Sequence, residues 1–137
     1  MRHRLAPALA LLAVFTLPVA AQQKASFIDG TYVLNADGCT KLKALKHGAA
    51  ESIGTVPWSV TAEGISYWEG GCGWSKVKTL GARRWALTAA CGEDIDMSVE
   101  SYEYTRTSPT TFSVKLTTKG ASPKERKPVS YQRCDVK

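Results

Sequence analysis

Four cysteines, Cys39, Cys72, Cys91 and Cys134, restrict what this chain can become more than anything else in it. Successive gaps of 33, 19 and 43 residues hold no Cys-x-x-Cys pair, and His47 is the only histidine past the first few residues. Zinc sites draw on closely spaced thiolate and imidazole ligands, so the spacing argues against a metal centre. An even set of widely spaced cysteines reads instead as two disulfides, which persist in oxidising compartments.

The N terminus supplies a route to such a compartment. Arg2, His3 and Arg4 form a basic head, Leu5 to Val19 carries no charge, and Val19-Ala20-Ala21 offers the small residues behind which a signal peptidase cuts. Residues 1–21 are therefore expected to be a cleaved signal peptide, 22–29 an N-terminal tail, and 30–137 one domain exported to the periplasm or the extracellular space. Pro7 and Pro18 interrupt a run shorter than the ~18 apolar residues of a spanning helix, so no membrane span is expected after cleavage. Arg2 and Arg4 leave with the leader, and the formal net charge falls from +6 to +4. Basic clusters lie at Lys41, Lys43 and Lys46 and again from Lys115 to Lys137, with Glu93, Asp94, Asp96, Glu100 and Glu103 between them. This mild, segregated bias lacks the basic and aromatic interleaving of a nucleic-acid surface, and nucleic acid is not expected as a partner.

Turn signals and alternation point to antiparallel strands. Gly30 to Leu34 reads as a first strand. Asp37 is then placed to cap a short helix near residues 38–46, with Leu42 and Leu45 on one face and Gly48 as its stop. Val56 to Thr61 and Ile65 to Trp68 flank the Ala62-Glu63-Gly64 turn, with Pro57 marking an edge or a strand start. Val99 to Thr107 meets Thr111 to Thr118 across Ser108-Pro109-Thr110, which sets Tyr104 opposite Val114, Tyr102 opposite Leu116 and Glu103 opposite Lys115. After the polar stretch Lys119 to Pro128 comes a last strand, Val129 to Cys134. The expected fold is all-β, a small antiparallel barrel or sandwich of about seven to eight strands with that one helix.

The hairpin around Gly81-Ala82 chooses among the three possible disulfide pairings. With Gly81 first in a type II′ turn, Lys78 faces Trp85, Lys76 faces Leu87, Trp74 faces Ala89, and Cys72 faces Cys91. Directly opposite residues lie ~4.5 to 5.5 Å apart at Cα, within disulfide range. Cys39 is left for Cys134. In the loop-entropy account such closures stabilise by ~3 to 4.7 kcal/mol, a large share for a small domain. A bulge at Gly70-Gly71 or Gly73 would shift the register.

No motif fixes a reaction. Hydrolysis through Ser-His-Asp or Cys-His needs a histidine beside a nucleophile, and His47 stands alone at a basic helix end with no Gly-x-Ser-x-Gly in the chain. Glu93-Asp94-Ile95-Asp96 lacks the ligand alternation and distal Glu of a calcium loop and reads as a solvated turn. No catalytic residue, metal or cofactor is therefore expected.

Binding remains. The register above puts Trp74, Lys76 and Lys78 on one face with Trp85 and Leu87, and brings Arg83 and Arg84 to the tip. That surface suits an anionic small ligand or an acidic protein surface, by apolar contact combined with positive charge. Gly30-Thr31-Tyr32 resembles the Gly-x-Trp opening of lipocalins, with Tyr in place of Trp, and over these three residues the resemblance implies a ligand-carrying barrel. The leading expectation is an exported, non-catalytic binding protein that holds a protein partner, as a hydrolase inhibitor would, with Lys119 to Pro128 as a presented loop. A carrier of an anionic amphiphile in a lipocalin-like barrel stands second, and a small secreted hydrolase or nuclease third.

Overall fold

Alternation in the longest hairpin organises the molecule. In the computed structural model, which describes residues 22–46, 58–67 and 70–135, Tyr102, Tyr104, Phe112 and Val114 all point inward while Glu103 and Lys115 face out. The elements run β1 (Tyr32–Val33), α1 (Ala36–Lys46), β2 (Ser59–Val60), β3 (Gly64–Tyr67), β4 (Gly70–Gly81), β5 (Arg84–Glu93), β6 (Asp96–Ser108), β7 (Thr111–Leu116) and β8 (Val129–Arg133). Each strand pairs antiparallel with its sequence neighbour, and Tyr32 closes the barrel between Val60 of β2 and Arg133 of β8. A barrel, not a sandwich, is thus formed, and every strand has two neighbours.

Both disulfides are as the hairpin register implies, Cys72 with Cys91 and Cys39 with Cys134. They are consistent with an oxidising, exported compartment. The first links inward positions of β4 and β5; the second ties α1 to the end of β8. The helix, Ala36–Lys46, begins two residues earlier than expected. Asn35, not Asp37, is its cap, for the Gly38 amide donates to Asn35 Oδ1 at 2.7 Å. Asp37 lies inside the first turn and pairs with Lys41 at 3.0 Å. The proposed leader (residues 1–21), His47, Gly48, Val56, Pro57, Trp68 and Lys137 lie outside the described residues.

The β4–β5 pairing departs from a straight ladder. Cys72 faces Cys91 and Trp74 faces Ala89, but Lys76 faces Thr88, Val77 faces Leu87, Lys78 faces Ala86 and Thr79 faces Trp85. Ser75 is one extra residue in β4 and Leu80 a second, so each shifts the count by one. The expected turn is also displaced. Ala82 and Arg83 are its central pair, and Gly81 does not take a positive φ. The single face expected for Trp74, Lys76, Lys78, Trp85 and Leu87 is therefore split. Trp74, Val77, Trp85 and Leu87 pack with the core, while Lys76 and Lys78 stand on the outer surface.

The barrel interior is filled by rings. Trp74, Tyr32, Tyr104, Phe112 and Leu87 are its largest fully buried side chains, and Trp74 meets Tyr102 and Tyr104 edge-on with centroids 6.4 and 5.9 Å apart. The Trp74 indole donates to the Thr61 carbonyl at 3.1 Å. Among the described residues, the buried Tyr104 hydroxyl has no hydrogen-bond partner. Gly64 has its own reason. Any Cβ there would collide with the Cys72 carbonyl where β3 and β4 meet.

The segment 22–29, expected as a tail, belongs to the fold. β3 covers β4 only as far as Gly73, and the rest of that edge would be bare. Gln23 fills it: its amide donates to the Trp74 carbonyl at 2.7 Å and its Oε1 accepts from the Val77 amide at 2.8 Å, spanning the bulge. Ala25 and Ile28 are buried, and Phe27 stacks on Trp85 with centroids 4.0 Å apart and planes 1° from parallel. Arg106 clamps this segment, donating to the Phe27 and Pro109 carbonyls, pairing with Asp29 at 3.4 Å and lying 4.4 Å above the Phe112 ring. Asp29 also meets Arg133 at 3.3 Å and accepts from the Tyr32 hydroxyl at 2.6 Å. The Tyr32 hydrogen bond does most to hold the Asp29 carboxyl below its ordinary range. One end of the barrel is thereby sealed.

Candidate functional site

Strand direction assigns the rest to two ends. The β2–β3, β4–β5 and β6–β7 turns lie at the sealed end, with the N-terminal segment. The β3–β4 and β5–β6 turns and the β7–β8 loop lie at the opposite end, here called the mouth. β6 is longer than β7: Tyr102 is paired with Leu116, and Asp96 to Glu100 run on past the end of β7 paired only with β5. The inward face of β6 reads Asp96, Ser98, Glu100, Tyr102, Tyr104. Its last two members are core, and its first three become the wall of an opening.

That opening is a groove of about 390 Å³. Cys91, Glu93, Asp96, Ser98 and Glu100 line it from β5 and β6, Trp58 and Tyr67 complete the lining, and Met97 sits at its rim. Trp58 stacks on Tyr67 with centroids 4.7 Å apart and planes 20° from parallel, yet stays 48% exposed. Met97 is 76% exposed, its sulfur lying over Gly92, where any side chain would be tight. Below the groove, the Tyr102 hydroxyl donates to Glu100. Burial chiefly, and then that carboxylate, push the Tyr102 phenol far up. Burial also raises Tyr67, with Glu93 and Glu100 adding to the shift, so both carboxylates are felt at the aromatic wall.

Among the described residues, the negative charge at the mouth meets no ion-pair partner. The pairing sets Glu93 directly opposite Asp96 across the Asp94-Ile95 turn, an arrangement of like charges that costs stability. Asp94 adds a third carboxylate at φ 52°, in the left-handed region that Asp tolerates better than most residues. Among the described residues none of Glu93, Asp94, Asp96 or Glu100 takes part in an ion pair. Glu100 also lies near the Cys72 and Cys91 sulfurs, within 4.8 Å, but those sulfurs are joined to each other and offer no thiolate to a metal.

The β7–β8 loop stands at the same end and is pinned. The Ser122 amide donates to Glu125 Oε2 at 2.7 Å and the Glu125 amide donates back to Ser122 Oγ at 3.3 Å, the reciprocal pattern of a capping box. Arg126 Nε donates to the Ala121 carbonyl at 2.9 Å. Lys119, Lys124 and Lys127 are exposed around this turn.

The residues singled out from sequence are not gathered into one surface. Trp74 is wholly buried, Trp85 turns inward against Phe27, and Lys76 and Lys78 lie outside on β4. Arg84 is held by Glu103 at 2.7 Å, and Arg83 is exposed in the turn. Sequence reasoning missed Trp58, Tyr67, Glu93, Asp96 and Glu100 as a group. The parity of β6 carried the signal, since a strand with Tyr102 and Tyr104 inward must also turn Glu100, Ser98 and Asp96 inward. No known family, curated protein or solved structure matches this chain. Among the described residues no helix is long and apolar enough to cross a membrane.

Proposed function

We propose that the chain is an exported, non-catalytic binding protein whose partner is another protein, engaged at the mouth of the barrel. One observation carries the reading: the sealed end is closed with stacked rings and paired charges, whereas the mouth combines an exposed aromatic groove, carboxylates without an ion-pair partner among the described residues, and a pinned basic loop. Exposed aromatic and Met side chains beside unpaired charge are the composition of a recognition surface. The reciprocal Ser122 and Glu125 bonds support a presented loop, because a loop ordered in advance loses less entropy on docking. A carrier of an enclosed amphiphile has less support, because Trp74, Tyr102, Tyr104, Phe112 and Tyr32 occupy the space that such a cargo needs.

A photo-crosslinking residue tests the placement. Installed at Met97, it is expected to trap one protein from the organism's own extracytoplasmic extract. Installed at Leu80, exposed at the sealed end, it is expected to trap none. Equal trapping at both positions, or trapping from Leu80 alone, overturns the assignment.

A further inference from the structure

Resting on that reading, we propose that the mouth groove takes a single cationic side chain, lysine or arginine, presented by the partner protein. Its positive head would lie among Glu93, Asp96 and Glu100, with its alkyl stem along Trp58.

Geometry, charge and exposure each bear on this choice. The groove is large enough for one long side chain, and its carboxylates converge from two strands and two registers onto one space. Glu93 and Asp96 face each other with no cation between them among the described residues, so an incoming positive charge relieves a repulsion that the fold itself imposes. Trp58 offers a large exposed ring, already held in place by its stack on Tyr67, and an ammonium or guanidinium is attracted to such a face. An anionic guest would meet these carboxylates directly, and a neutral apolar guest would leave them desolvated and unpaired.

The test uses the full exported chain and small probes of defined charge. N-acetyl-lysine amide and N-acetyl-arginine amide are titrated while the Trp58 indole NMR signal, assigned by its loss in Trp58→Phe, is followed. The neutral isostere N-acetyl-norleucine amide serves as control. Both cations are expected to shift the signal in a saturable, salt-sensitive way, with the isostere at least about tenfold weaker. The double variant Glu93→Gln/Asp96→Asn, at exposed turn positions, is expected to keep its barrel spectrum and both disulfides while losing about tenfold in affinity for the cations. Equal binding of norleucine and lysine amides, or unchanged affinity and salt dependence in the double variant, overturns the cationic assignment. If the Met97 crosslinker still traps its partner in that case, the binding reading stands without it. If neither crosslinking nor any probe reports on the mouth, both fall.

Discussion

Tyr104 shows how far single residues follow from packing alone. Its inward position is set by the alternation of β6, and its ring is locked among Phe27, Trp74, Tyr102 and Phe112. The hydroxyl then finds no partner among the described residues, and burial drives its phenol well above the ordinary value. A buried polar group without a partner costs stability that its removal returns. Tyr104→Phe is accordingly expected to raise stability by ~1 kcal/mol, seen as a higher denaturant midpoint at unchanged slope. A loss instead would mean that the hydroxyl has a partner. Residue-scale reading from sequence succeeded where one rule was enough, as with Tyr102, Tyr104, Phe112 and Val114. It failed at the single face expected for Trp74, Lys76, Lys78 and Trp85, which the extra residues of β4 divide between core and solvent. Phe27, which stacks on Trp85, sits in a stretch with no periodic pattern of its own.

Elements were legible in proportion to the regularity of their pairing. The β6–β7 hairpin was readable residue by residue because its ladder is unbroken from Tyr102 to Arg106. In β4–β5 only the end nearest Cys72 and Cys91 was readable. Ser75 and Leu80, the two extra residues, look like any other strand residues, and glycines rather than serine are the usual sign of a bulge. The shift explains why the lysines face solvent and the tryptophans the core. The helix start was misplaced by a comparable ambiguity, since Asn35 and Asp37 both suit a cap and only the backbone decides between them. Substitution separates them: Asn35→Ala is expected to cost ~1 kcal/mol, whereas Asp37→Ala, removing only an exposed pair with Lys41, costs a few tenths, about what an i,i+4 pair contributes. Chemical denaturation of the two variants checks this, and equal losses would return the cap to Asp37.

At the scale of the whole molecule, the candidate site is a property of closure. Trp58, Tyr67, Cys91 and Glu100 come from separate strands or their flanks, and nothing local links them. They meet because β5 and β6 overrun the shorter strands on one side of the barrel, while the N-terminal segment fills the other end. The same closure leaves a signature in the titration of the whole protein. All five tyrosines, Tyr32, Tyr67, Tyr102, Tyr104 and Tyr131, have phenols raised above the ordinary value, with burial the leading cause in each. A phenol whose folded value is raised holds its proton more tightly in the native state, so its contribution to stability is full below the unfolded value of ~10 and is lost as pH climbs above it. The native barrel is therefore expected to show little phenolate absorption at pH ~10, where an unfolded chain would be half ionised. Absorption should instead appear at higher pH in one cooperative step with the loss of near-ultraviolet circular dichroism, when the rings leave the core together. Tyr67, nearest the open groove, is the residue to ionise first if any does. Substituting Glu93 and Asp96 by their amides should ease that residue alone, because Glu93 is one of the two carboxylates that oppose its ionisation. Gradual ionisation of several tyrosines near pH ~10 with the dichroism intact would contradict the sealed, ring-filled interior on which the location of the site depends.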